Sequence, residues 1–190
     1  MPVDTSLLDR VANMIGKPPS YADDGRTKSI LAAAAGAYGA APTVAADFTH
    51  PTGYDLGAVA LFEAVVESSF LVAHADGEFD AAELEAFRHV VVVACEGRVS
   101  EAQVTALLAD LESVLLEDGI DKRCTMVARV VKRPEQGREA LRIAALLAAV
   151  SGGVSDVERD VLGRLATSFK LGPEDVQAAI GEAERALSAR

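Results

Sequence analysis

Residues 70–87 read FLVAHADGEFDAAELEAF. The stretch opens apolar, breaks at Gly77 and restarts behind Asp80. Glycine supplies the positive φ that a helix end asks for. Asp80 followed three residues later by Glu83 has the form of a capping box, in which each side chain satisfies an orphan backbone N–H. Phe79, the lone hydrophobic before the cap, can staple onto the helix that follows. The reading is helix, corner, helix.

The same grammar returns further along. ALLAAVSGGVSDVERDVL (145–162) aligns with 70–87 at a constant offset of 75 residues. Gly152 stands opposite Gly77, Val154 opposite Phe79, Ser155 opposite Asp80 and Glu158 opposite Glu83. The differences are chemical. Asp76, Glu78 and His74 become Ser151, Gly153 and Ala149. The second corner keeps its form without the extra acids, so turn geometry does not require them.

Around these corners the chain reads as successive helices. Helices are expected over 56–75, 80–97, 100–119, a shorter one in 121–132, and others opening at Pro134, behind Ser155 and at Pro173. The run VVVVAC (90–95) is β-branched, but it sits inside a helical pattern and has no strand partner, so it is assigned to helix. Ahead of them, DTSLLDRVANMIG (4–16) and residues 27–38 form a helical arm. GAAPTVAADFTHPTGYD (39–55) is the longest irregular stretch. The expected fold is all-α, with about seven core helices in two related halves. An N-terminal arm and linker (1–54) would precede the main domain (55–190).

Composition agrees. The 190 residues are 50% hydrophobic but only 5% aromatic, with no Trp. The apolar content is chiefly Ala, Leu and Val, which suits closely packed helices. A formal charge of −11 repels phosphate backbones, so nucleic acid is not an expected partner, whereas cations and basic protein surfaces are. Cys95 and Cys124 lie in no CxxC pair and read as buried, reduced thiols, which favours a reducing compartment. RTKSILAAAAGAYGAAPTVAA (26–46) loosely imitates a signal peptide, but it starts late and is broken by Gly36, Gly39 and Pro42. It also lacks the strongly apolar length of a spanning helix, and no transmembrane segment is expected. It reads as a small-residue helix packed closely on a neighbour.

On the helix 56–75 the 100° advance per residue puts Glu63, Glu67 and His74 on one stripe. Leu61, Phe62, Val65, Val66, Val72 and Ala73 form the opposite, core face. The stripe is expected to face water, with His74 at the helix's negative end. It leads down to Asp76, Glu78 and Asp80, whose oxygens can converge on the turn. Converging carboxylates repel one another unless a cation joins them, and hard cations prefer oxygen. The loop is no EF-hand: counting from Asp76, its sixth and twelfth positions are Ala81 and Phe87. A di-iron bundle would need Glu-x-x-His pairs, which do not occur. Glu83 has a competing task as the capping acid. No G-x-S-x-G, phosphate loop or H-E-x-x-H appears. His50 has no nucleophile near it in sequence. His89 reads as part of a helix face beside Arg88, and RVVKRPEQGR (129–138) reads as a solvated basic helix end.

LVAHADGEFDAAELEAF, then LLAAVSGGVSDVERDVL, then LATSFKLGPEDV together resemble the TerB-like (tellurite resistance TerB) domain family, over about residues 56–189. The A-D-G-x-h-x-x-x-E motif carries most of the resemblance. It implies an all-α bundle in two related halves. It also implies divalent-metal binding through the motif acids, Asp76 and Glu83, with Glu78 and Asp80 beside them. Family members act in cytoplasmic, often membrane-associated stress-response assemblies with partner proteins, and not as enzymes. The second copy departs from the pattern at Ser151, which weighs against a site shared by both lobes.

The expected metal set is therefore His74, Asp76, Glu78, Asp80 and Glu83. Calcium or magnesium suits its oxygens, and His74 would admit zinc or manganese. Two other functions stay open: a protein-interaction scaffold whose acids only solubilise it, and a metal-dependent hydrolase, which would need an open coordination position above a cleft.

Overall fold

The computed structural model describes residues 5–22, 24–40, 55–77 and 79–188. Among them are nine helices and no strand: α1 (Thr5–Gly16), α2 (Ile30–Gly39), α3 (Leu56–Ala73), α4 (Ala81–Ala94), α5 (Glu101–Asp118), α6 (Ile120–Val130), α7 (Pro134–Ala149), α8 (Asp156–Ser168) and α9 (Pro173–Ser188). The all-helical expectation holds, and Val90–Ala94 is helical. The helix expected over 27–38 starts three residues later, because the Ser29 side chain caps it by accepting from the Ala32 N–H at 3.1 Å. Residues 41–54, most of the expected linker, lie outside the described residues, as does Glu78.

α7 is the centre of the bundle. It packs most heavily on α9 and α3, and also meets α8 and α1. Every residue from Glu139 to Ala149 is buried. Two of them are charged. Glu139 is 1% exposed and Arg142 5%. A buried charge survives only with partners, and both find partners at the ends of the two N-terminal helices and in the turn between them, with Glu182 of α9 adding to Arg142. Glu139 accepts from the Ile30 N–H at 2.7 Å, at the first turn of α2, and from Arg26 at 2.9 Å. Arg142 donates to the carbonyls of Met14 and Lys17 at the end of α1, at 3.0 and 3.3 Å, and pairs with Glu182 at 2.7 Å. The turn between α1 and α2 is closed by Ser29 N–H donating to the Gly16 carbonyl. The N-terminal arm is thereby sealed onto the body, with Val11 and Ile15 fully buried.

Small residues let α2 come close. It lies against α3, with Tyr38 stacked on Phe62 at 4.4 Å. A Cβ built on Gly39 would sit 1.8 Å from the Arg98 carbonyl oxygen. Gly16 at the end of α1 is needed for a close approach: a Cβ there would lie 2.8 Å from the Ala94 carbonyl oxygen on α4. α3 is long and apolar enough to cross a membrane by length and composition, with mean hydropathy 1.8. Its neighbours account for that: α2, α5, α6, α7 and α8 all pack on it.

The expectation that Glu67 faces water is overturned. Glu67 is 7% exposed and pairs with Arg123 of α6 at 2.6 Å, while Arg123 also reaches Asp118 at 3.1 Å. The stripe read from the 100° advance is straight, but α6 covers its middle. Glu63 remains exposed.

Gly39→Ala should drive its methyl into the Arg98 backbone and cost about 1–3 kcal/mol, read as a lower urea midpoint at unchanged slope. Glu139→Ala should cost about 2 kcal/mol, because it orphans the Ile30 N–H and strips Arg26 of a partner.

Candidate functional site

The first corner runs from His74 to Asp80. His74 ends α3, its backbone N–H donating to the Phe70 carbonyl. Gly77 has φ +101°, the left-handed excursion that turns the chain. The capping box predicted from Asp80 and Glu83 is present. Asp80 Oδ1 accepts from the N–H groups of Ala82 and Glu83 at 2.7 and 2.9 Å, and Glu83 Oε2 accepts from the Asp80 N–H at 3.1 Å. Phe79 locks the corner to the core. Its ring stacks on Phe70 and meets Phe87 edge-on, both at 5.8 Å between centroids. His74 leans on the same cluster, 5.3 Å from Phe70 and 6.0 Å from Phe79.

The second corner is closed the same way. Ser155 Oγ accepts from the Glu158 N–H at 3.3 Å, and Glu158 Oε2 accepts from the Ser155 N–H and hydroxyl at 2.7 and 2.8 Å. Where the first corner has Asp76, Ser151 spends its hydroxyl on the Ala148 carbonyl at 2.8 Å.

The two corners meet. Between them lies a small recess walled by Ala73, Phe79, Ala86 and Phe87 on one side and Leu147, Val150 and Ser151 on the other, with Glu83 at its edge. Glu158 is 8% exposed, and its carboxyl holds its proton more tightly than an ordinary glutamate. Burial is the main cause, and the negative charges of Asp76 and Glu83 add to it. In the sequence Glu158 is only the structural counterpart of Glu83; the influence of Asp76 on it depends on how the helices stack, which no local pattern reveals.

The expected metal set is thus distributed unevenly. Asp80 and Glu83 are engaged in capping. Asp76 is exposed and makes no hydrogen bond among the described residues. His74 packs against aromatic rings. Glu78 lies outside the described residues. Among the described residues, no three His, Cys, Asp or Glu side chains stand close enough to hold a metal ion. The two thiols are buried and free, and burial pushes Cys95 up to about 12 and Cys124 to about 11, so neither offers a thiolate near neutral pH. His89 lies on the α4 face as read, and pairs with Asp9 of α1 at 2.8 Å.

A helical bundle whose two corners are closed by capping boxes, one of them acidic, defines the class: small all-α proteins with a charged helix–turn–helix end. The chain belongs to the tellurite resistance protein TerB family, whose model matches residues 62–186. The match begins inside α3 and ends in α9, so it leaves out α1 and α2. No curated protein and no solved structure matches the chain.

Glu158 has its folded-state pKa above the ordinary 4.5. Its contribution to stability is therefore full below the unfolded pKa and lost as pH rises through the raised folded value. Glu158→Gln keeps an acceptor for the cap and removes the repelled charge. The variant should be more stable than wild type at pH 7 and converge with it near pH 4, in urea melts run in EDTA. Lower stability of the variant at pH 7 would contradict this electrostatic account.

Proposed function

We propose that this TerB-family protein is non-enzymatic, binds a divalent cation at its acidic corner and acts through partner proteins in a cytoplasmic stress response of the tellurite- or metal-resistance type. One observation supports the metal part: Glu158 is buried at the second corner and the negative charges of Asp76 and Glu83 at the first corner add to its hold on its proton, while Asp76 itself stays exposed. Like charges held together in this way store repulsion, which a bound cation would release.

The donor set suits a hard ion in chemistry. Asp76, Glu83 and Glu158 offer only oxygen, the preference of calcium and magnesium, but as placed no three acids among the described residues stand close enough to hold an ion, so a bound cation would have to draw them together. In availability it fits less closely, since one oxygen each of Glu83 and Glu158 already serves a backbone N–H. His74, turned to the phenyl rings, supports zinc or manganese less well than the acids support calcium or magnesium.

The capping bonds favour a second reading. Asp80 and Glu83 are accounted for by helix-end chemistry alone. A metal-free interaction scaffold needs nothing more from them.

A melting series separates the two. In EDTA the protein has its intrinsic midpoint, and a cation at 100 times its dissociation constant should add about 2.7 kcal/mol. Calcium and magnesium are expected to raise the midpoint and Asp76→Asn to abolish the gain. A midpoint indifferent to Ca²⁺, Mg²⁺, Mn²⁺ and Zn²⁺ would leave the scaffold reading standing alone.

A further inference from the structure

Beside the first corner, a groove runs between the end of α3, the start of α4 and the face of α5. Its volume is about 310 Å³, at the small end of sites that enclose a ligand. Phe70, Phe79, Leu84 and Leu108 form its apolar wall, His74 lies beside Phe79, and Glu112 stands on the α5 side. Glu112 is exposed and has no ion pair among the described residues. Arg88 reaches the groove's Thr105 hydroxyl at 3.2 Å and is already matched by Glu85. The groove therefore pairs aromatic rings with one uncompensated carboxylate, on a protein of net charge −11.

That combination has a specific complement. Aromatic faces attract cations through the ring quadrupole. A guanidinium stacks on a ring and presents a planar fork of donors to a carboxylate, which an ammonium cannot do. The apolar wall covers the methylene stem of a long basic side chain. The surrounding negative field draws such a segment in. We infer that this groove docks an arginine side chain presented by a partner protein. Phe79 and His74 stack on the guanidinium, Glu112 pairs with it, and Leu84 and Leu108 pack on its stem. The inference rests on the proposed action through partner proteins but not on metal binding.

The probe is N-acetyl-arginine methylamide, titrated in EDTA into the full-length ¹⁵N-labelled protein, with the citrulline analogue as the uncharged control. Amide shifts should centre on Gly77, Phe79, Thr105, Leu108 and Glu112, and citrulline should produce none of them. Glu112→Gln should weaken binding by about fivefold. Glu184→Gln, an equal loss of charge on the exposed face of α9, should leave it unchanged. Shifts scattered over the acidic surface, equal weakening by both variants, or equal binding of citrulline would each overturn the assignment. Because no divalent cation is present, its failure would leave the metal reading untouched, and failure of the metal reading would leave the groove's result intact.

Discussion

Two buried charges on α7 hold the architecture together. A helix enclosed by neighbours normally carries no ions, because each costs several kcal/mol to desolvate. Glu139 and Arg142 are tolerated because the N-terminal helices offer them what helix ends always lack. The opening N–H groups of α2 need an acceptor, and the closing carbonyls of α1 need donors. The charge signs match the helix dipoles as well: a carboxylate at an N-terminus and a guanidinium at a C-terminus. The ions and the helix ends thus solve each other's problem. The arrangement also explains how an arm outside the family match becomes part of one core.

The position of α7 then determines the corner. Its last buried turn, Leu147 to Val150, forms the wall against which Phe79 and Phe87 pack. The next residue is Ser151, so the second corner starts where that wall ends. Packing of apolar side chains, not mutual attraction, thus brings the first corner's acids within electrostatic reach of the buried Glu158. Hydrophobic burial of this kind is non-directional and large in sum, so it can keep the Glu158 carboxyl in a drier place than it would take in water.

What the sequence made legible follows from range. Caps, glycine turns and the helical period are local, and Asp80, Glu83, Ser155 and Glu158 were readable in those terms. Glu67, Glu139 and Arg142 were not, because a charge on a helix is assigned to solvent unless its partner is known. Arg123 lies 56 residues from Glu67, and Ile30 lies 109 from Glu139. A signal did exist for the α7 pair. In EALRIAALLAA (139–149) the two charges sit three apart at the edge of an otherwise unbroken apolar run, where a solvated face would carry more polar residues. The electrostatic influence of Asp76 on Glu158 had no such trace, since it arises from the stacking of two corners that are separately regular.

Phe79 joins the two faces of the first corner. One side of its ring environment belongs to the recess beside Glu83 and Ser151, and the other to the groove bounded by Glu112. The ring is held by Phe70 and Phe87, so it cannot shift toward one face without withdrawing from the other. The backbone bearing Asp76 and Gly77 leads directly into it. A ligand that reorders the acids would move Phe79, and a ligand that packs on Phe79 would constrain the acids. Linkage makes such an effect reciprocal: whatever factor one occupant imposes on the other's affinity is returned in full. If the proposed cation and the proposed docked side chain both bind, Phe79 would be the single mechanical element they share. The twin corner has Val154 in that position and Ser151 in place of the acid, and so lacks both the ring and the charge that such coupling would require.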